Sequence, residues 1–181
     1  MVPAGSIRGG RPSIRGGSNP RRVDTAANAG NVRGQSEAAG DVRAPAKRRV
    51  LFVCIGNSCR SQMAEGFARA YGADVMAVQS AGLSPAGIVS PLTRVVLAER
   101  NIRIDDQFPK GFDAVLMEPF DLLINMSGMK LTASHSRAAA RIVDWQVPDP
   151  IGQKQEVFRS VAEQIEGQVM RLILELRSAQ K

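Results

Sequence analysis

The fold of this chain is decided by residues 50–71, which read VLFVCIGNSCRSQMAEGFARAY. The first four of these residues form an apolar run, which is typical of a strand buried on both faces. A short segment rich in Gly, Asn and Ser follows. Residues 61–71 then predict a helix with Met63, Phe67 and Ala70 on one face. A buried strand that leads through a tight loop into a helix is typical of α/β proteins.

The alternation of strands and helices continues toward the C-terminus. Further strands are predicted at residues 74–79, 120–126 and 141–145, and further helices at residues 91–100 and 155–178. This order predicts one α/β domain over residues 49–181, with a parallel sheet covered by helices on both faces. Ligands of such sheets bind beyond the carboxyl ends of the strands, and the segment that begins at Cys54 leaves its strand at that end.

Residues 1–48 differ from the rest of the chain in composition. They are rich in Gly, Ala, Ser and Arg, contain no aromatic residue, and carry nine basic but only three acidic residues. Such a segment cannot bury enough apolar surface to offset its ordering entropy, so a disordered basic leader is predicted. The Ile-Arg-Gly-Gly sequence at residues 7–10 and 14–17 resembles RNA-binding RGG segments. The lack of aromatic stacking partners favours a solvated tail over nucleic-acid binding.

Other bulk features narrow the class of protein. The chain has two cysteines, five positions apart, so no disulfide framework is expected and a reducing, cytoplasmic location fits best. No apolar run approaches the ~20 residues of a membrane helix, and no apolar segment of a secretory signal opens the chain. His135 is the only histidine, so the sequence predicts neither a metal site nor another cofactor.

Residues 54–61, called the Cys54 loop below, have the composition of an oxyanion site. A glycine-containing loop that opens into a helix presents backbone N–H groups and a positive helix end to an anion. The residues expected to bind the oxyanion are Ile55, Gly56, Asn57, Ser58, Cys59 and Arg60. The same positive field favours the thiolate form of Cys54, the predicted nucleophile, and the Ser61 hydroxyl is expected to stabilise it. The sequence therefore predicts thiolate attack on a tetrahedral oxyanion, phosphate or arsenate.

The motif C-I-G-N-S-C-R-S-Q-M-A-E-G at residues 54–66, together with Ser-Ala-Gly at 80–82 and an Asp-Pro pair, resembles a known superfamily. It is that of the low-molecular-weight protein tyrosine phosphatases and arsenate reductases. The resemblance implies a four-stranded parallel sheet with flanking helices and no metal. It also implies that Cys54 is the nucleophile, that Arg60 binds the oxyanion, and that Asp149 is the general acid. Without the resemblance, Asp149 is equally well read as a turn residue.

The motif leaves two activities open, because both begin with thiolate attack on an oxyanion. A phosphatase that hydrolyses phosphate monoesters, protein phosphotyrosine foremost, through a phosphocysteine ranks first. A thioredoxin-coupled reductase needs relay cysteines, but Ser127 stands about where the first would be and no cysteine follows Cys59. The alternative is an arsenate reductase that uses Cys54 with an external thiol of the glutaredoxin, glutathione or mycothiol type. Ile151 and Gly152 favour this alternative, because the phosphatase branch usually has tyrosines there.

The second cysteine of the loop has two interpretations. Cys59 is a possible redox partner that forms a reversible disulfide with Cys54, or it is a small apolar residue in a packed position.

A third class of function is a non-catalytic protein that binds an anion or RNA. The complete set of Cys54, Arg60 and Asp149 argues against it, because a pure binder needs no thiolate. The expected partners are the oxyanion, a phosphoprotein substrate and a thiol reductant, with no membrane.

Overall fold

The computed structural model of the protein describes residues 46–180. These residues form a four-stranded parallel sheet in the order β2-β1-β3-β4. The strands are β1 (Arg48–Cys54), β2 (Met76–Gly82), β3 (Phe120–Asn125) and β4 (Ala139–Asp144). The predicted fold class is confirmed. Of the leader predicted over residues 1–48, residues 1–45 lie outside the described part of the chain, and Arg48 already belongs to β1.

The described residues also form four α-helices and one 3-10 turn. They are α1 (Arg60–Tyr71), α2 (Pro91–Ala98), α3 (Ala133–Ser136), α4 (Gln155–Ser178) and the turn Phe112–Ala114. The three longer helices begin and end within two residues of their predicted bounds. The sequence did not predict α3 or the 3-10 turn, because neither is long enough to show a hydrophobic period. Within residues 46–180, no helix has both the length and the apolar character required to span a bilayer.

The sheet separates two apolar layers. Val50 and Phe52 of β1 face the layer that holds α1 and α4, and Leu51 and Val53 face the layer that holds Phe112. These four side chains of β1 are fully buried, as expected for a central strand covered on both sides. Full burial of each such side chain contributes roughly 1.5–3 kcal/mol. The packing of β1 therefore fixes the position at which the Cys54 loop begins.

Two of the three residues predicted for the inward face of α1, Met63 and Phe67, are fully buried, and the third is not. Ala70 is exposed, whereas Glu65 is fully buried. The i,i+4 spacing of Glu65 and Arg69 predicts an ion pair on another face of α1, and that pair forms. Glu65 has two further partners, the hydroxyl of Ser80 and the ammonium group of Lys110. A buried carboxylate with such partners avoids most of the cost of desolvation.

The carboxyl edge of the sheet brings three segments together. Met126, directly after β3, donates its N–H to the carbonyl oxygen of Val53 at 2.7 Å. Trp145, directly after β4, donates its N–H to the carbonyl oxygen of Asn125 at 2.9 Å. These two bonds extend the parallel pairing past the strand ends. They place the segments that follow β3 and β4 beside the Cys54 loop.

Candidate active site

The backbone of the Cys54 loop turns its carbonyl groups away from the pocket. The carbonyl oxygens of Cys54, Ile55 and Gly56 accept hydrogen bonds of 2.9 to 3.1 Å from the N–H groups of the segment 83–86. Within the described chain, none of the N–H groups of residues 55–59 donates a hydrogen bond. Buried backbone donors are rarely left without a partner. A cluster of them after a strand and before a helix forms a nest that fits an anion.

Asn57 supports this turn of the backbone. It is a non-glycine residue with a positive φ of 46°, in the left-handed region that Asn tolerates better than most residues. Its side chain is buried and does not line the pocket. The amide Nδ2 donates to the hydroxyl oxygens of Ser61 and Ser80, each at 2.8 Å. Its Oδ1 accepts from the N–H of Lys110 at 2.8 Å. The side chain of Asn57 therefore holds the loop from the side opposite the pocket. Only the backbone N–H of Asn57 is expected to contribute to oxyanion binding.

The side chain of Ser61 lies beside the sulfur of Cys54. The distance between Ser61 Oγ and Cys54 Sγ is 3.0 Å, and both residues are buried. Ser61 Oγ accepts a hydrogen bond from Asn57, and its own hydrogen remains available for a bond to the sulfur. A hydroxyl that donates to sulfur stabilises the thiolate over the thiol. This contact agrees with the predicted thiolate-stabilising position of Ser61.

The hydrogen bonds behind Cys54 continue into the interior. Ser80, at the carboxyl half of β2, accepts from Asn57 and donates to the carboxylate of Glu65. The ammonium group of Lys110 lies 3.5 Å from the same carboxylate, and Arg69 also contacts it. Sequence analysis missed this network, because its members come from three segments far apart in the chain. The one available signal was Ser80, which the sequence marked only as part of a turn.

Arg60 is buried, with 4% of its surface exposed, and its guanidinium is held on one side by backbone carbonyls. Nη1 donates to the carbonyl oxygen of Met126 at 2.7 Å and to that of Val147 at 3.3 Å. Nη2 forms an ion pair with the carboxylate of Asp149. Nε is buried and has no partner within the described residues. A buried donor without an acceptor costs about 1–3 kcal/mol, so this nitrogen fits an oxygen that a ligand would supply.

Asp149 lies at the mouth of the same pocket, with 41% of its side chain exposed. One carboxylate oxygen contacts Arg60, and the other accepts the N–H of Ile151 at 3.2 Å. The structure thus brings together Cys54, Arg60 and Asp149, which the sequence placed in one site. The cavity between them has a volume of about 270 Å³. Its lining residues are Cys54, Ile55, Gly56, Ser58, Cys59, Arg60, Ala86, Asp149 and Ile151.

Cys59 lines this cavity but differs from Cys54 in its surroundings. It is the residue that precedes α1, it is buried, and its thiol is free. Burial raises the pKa of the Cys59 thiol above its ordinary value, and the hydroxyls of Thr93, Ser90 and Ser58 oppose that effect. Cys59 is therefore held as a protonated thiol at neutral pH. Cys54 and Cys59 line the same cavity.

Several residues with polar or aromatic chemistry lie outside the pocket. His135 stacks on Phe112 with ring centroids 4.3 Å apart, and Trp145 packs against Phe52 at 5.9 Å. Ser127, at the position expected for a relay cysteine, donates its N–H and its hydroxyl to the side chain of Asn125. In the part of the chain that the structure describes, no three His, Cys, Asp or Glu side chains cluster to hold a metal ion.

Comparison with known proteins agrees with this geometry. Residues 49–181 match the sequence model of the low molecular weight phosphotyrosine protein phosphatase family. A glutaredoxin arsenate reductase from Synechocystis sp. (strain ATCC 27184 / PCC 6803 / Kazusa) is 38% identical over 130 residues, which are 71% of this chain and 98% of that protein. A solved arsenate reductase in the phosphate binding state is 37% identical, with a TM-score of 0.65 over 71% of this chain and 98% of that one.

A phosphatase is also among the similar structures. The low molecular weight protein tyrosine phosphatase from T. tengcongensis is 31% identical, with a TM-score of 0.59 over 71% of this chain and 99% of that one. Both branches of the superfamily therefore share this fold and much of this sequence. The chain belongs to the low molecular weight phosphotyrosine protein phosphatase family of enzymes.

Proposed function

We propose that this protein is an arsenate reductase in which Cys54 attacks arsenate and an external thiol completes the reduction. One observation carries the anion site. Within residues 46–180, Nε of Arg60 and the N–H groups of residues 55–59 have no hydrogen-bond partner, and all of these residues except Asn57 line the pocket that holds Cys54. The choice of arsenate rests on the relatives, since the arsenate reductases compared are 37–38% identical to this chain and the tyrosine phosphatase is 31% identical. The order of preference drawn from the sequence, which put the phosphatase first, is thereby reversed.

The first half of the reaction follows from the positions of three side chains. The thiolate of Cys54 attacks arsenic to form an S–As bond, and one As–O bond breaks. Arg60 and the loop N–H groups stabilise the charge on the remaining oxygens. Asp149 protonates the departing oxygen, which leaves as water. Ser61, whose hydroxyl oxygen lies 3.0 Å from the sulfur, is placed to donate a hydrogen bond to the attacking thiolate.

The second half needs a thiol from outside the chain. A thiolate attacks the sulfur of Cys54, the electron pair of the S–As bond passes to arsenic, and As(V) is released as arsenite, As(III). The product is a mixed disulfide on Cys54. A second thiol reduces it, which frees Cys54 and yields one disulfide of the external thiol. The sequence has no cysteine after Cys59, so a glutaredoxin, glutathione or mycothiol type of reductant fits this scheme.

Hydrolysis of phosphate monoesters is the second candidate. The placement of Asp149 at the pocket mouth supports it, because an ester needs a proton donor for its leaving oxygen. Ile151 and Ala86 line the opening where a phosphotyrosine ring would lie, so the wall is aliphatic rather than aromatic. Water would then attack the phosphocysteine, with Asp149 as the base. Of the two candidate functions, only phosphatase activity would require a phosphoprotein substrate.

Two assays on the purified full chain separate the candidates. The first follows arsenate reduction with glutaredoxin, glutathione and a coupled reductase. The second follows hydrolysis of p-nitrophenyl phosphate. We expect arsenate turnover that is lost in Cys54→Ser. Ester hydrolysis without arsenate turnover would establish the phosphatase instead, and activity retained by Cys54→Ser would contradict both. Removal of residues 1–47 tests the proposal that the leader is a tail without catalytic role, and we expect unchanged turnover.

A further inference from the structure

We propose that Asp149 acts as a gate, because its carboxylate occupies the position on Arg60 that an oxyanion must take. The inference rests on the proposed anion site and adds a regulatory step to it. Nη2 of Arg60 is paired with Asp149, while the neighbouring Nε has no partner within residues 46–180. An arriving anion therefore displaces one carboxylate before it is fully bound.

The guanidinium itself is not free to turn away. Both hydrogens of Nη1 are taken by carbonyl oxygens, those of Met126 and Val147. A guanidinium has five N–H donors in a planar fork, so the edge left for a two-pronged contact is that of Nε and Nη2. Asp149 holds one prong of that edge. The carboxylate and a tetrahedral oxyanion compete for the same donor.

The carboxylate, by contrast, is free to move. Asp149 is partly exposed, and its one other contact is the N–H of Ile151 at 3.2 Å. The loop that carries it stays attached to Arg60 through the Val147 carbonyl after the ion pair breaks. Displacement is therefore a side-chain rotation and requires no opening of the loop. Such rotations are fast compared with typical turnover.

The displacement couples binding to proton transfer. A carboxylate that has left Arg60 stands beside an oxyanion instead of a cation. From there Asp149 can take up a proton from solvent and pass it to the oxygen that departs. The proton donor thus becomes available only when the pocket is filled.

Calorimetric titration with inorganic phosphate tests the gate without any turnover. The proteins compared are the wild-type full chain, Asp149→Asn, Asp149→Ala and the control Glu156→Gln, which removes one exposed negative charge at the start of α4. If the ion pair is formed about 90% of the time, its loss raises phosphate affinity about tenfold. We expect this gain in both Asp149 variants and none in Glu156→Gln, while arsenate turnover falls in the Asp149 variants.

The outcomes separate the gate from the proposed function. Phosphate affinity that is unchanged or weaker in both Asp149 variants overturns the gate and leaves the reductase proposal intact. An absence of phosphate binding in every protein overturns both. The titration is repeated in about 1 M salt, where charges more than roughly 3 Å apart are screened. A gain that persists supports a direct contact, whereas a gain that vanishes means long-range repulsion and overturns the gate.

Discussion

The hydroxyl oxygen of Ser61 lies 3.0 Å from the sulfur of Cys54 and is itself fixed by an amide hydrogen from Asn57. The hydroxyl hydrogen is thereby left available for a bond to the sulfur. A hydrogen bond to a charged group contributes about 1.5–3 kcal/mol. Ser61→Ala should therefore lower the rate of Cys54 alkylation by iodoacetamide at pH 7, and lower turnover about 10- to 100-fold. Ser84→Ala, an exposed serine in the adjacent segment, is the control, and an equal loss there would refute the specific role of Ser61.

Asn57 supplies both a left-handed backbone residue and a set of hydrogen bonds, and two substitutions separate these contributions. Asn57→Gly keeps the backbone freedom but loses the side-chain bonds to Ser61 and Ser80. Asn57→Ala loses both, so urea unfolding should show it to be less stable than Asn57→Gly by about 1 kcal/mol. Both variants should lose turnover. Equal stabilities would mean that the positive φ carries no cost at this position.

The end of β2 leaves no room for a side chain beside the Cys54 loop. A Cβ on Gly82 would lie 2.9 Å from both the backbone nitrogen of Asn57 and the carbonyl oxygen of Ile55. Gly82→Ala should therefore displace the loop, cost about 1–3 kcal/mol of stability and weaken phosphate binding. Gly87→Ala is a matched control, since a Cβ there meets no atom within 4 Å. Thermal unfolding and phosphate titration measure both effects. Unimpaired phosphate binding by Gly82→Ala would contradict the close packing.

The proposed redox role of Cys59 predicts reversible inactivation. Peroxide converts the thiolate of Cys54 to a sulfenic acid, and the Cys59 sulfur then displaces water to form a disulfide. Wild-type protein should recover its starting activity with dithiothreitol, whereas Cys59→Ser should recover only a small fraction of its own. Because burial raises the pKa of Cys59, disulfide formation should accelerate as the pH rises. Full recovery of Cys59→Ser would leave Cys59 as a packing residue only.

Asp74 and Arg177 join the loop after α1 to the end of α4. The hydrogen bonds from Arg177 hold the pKa of Asp74 below its ordinary value. A lowered pKa means that the contribution to stability is present above the unfolded-state pKa and is lost as the pH falls through the folded-state pKa. Asp74→Asn should therefore be slightly less stable than wild type at pH 7 and equal to it in strong acid. Asp113→Asn, an exposed carboxylate in the 3-10 turn, should show no difference at pH 7.

Local patterns predicted the part of the site that is contiguous in sequence. The buried strand, the Cys54 loop and α1 follow one another along the chain. The hydrophobic pattern, the glycine in the loop and the helix that follows were therefore sufficient to predict all three. The pairing of Glu65 with Arg69 follows from the i,i+4 spacing, but its partners Ser80 and Lys110 lie 15 and 45 residues away and only the folded chain brings them together. The ion pair between Arg60 and Asp149 spans 89 residues and had no sequence signal beyond the family resemblance.

The carbonyl oxygens of Met126 and Val147 hold Arg60 by main-chain atoms, which every residue type possesses. Substitutions at the surface of either segment can therefore alter the pocket entrance while the guanidinium keeps its orientation. Ile151 and Ala86 line the entrance and take no part in holding the guanidinium. Recruitment of new substrates then requires changes only at the entrance.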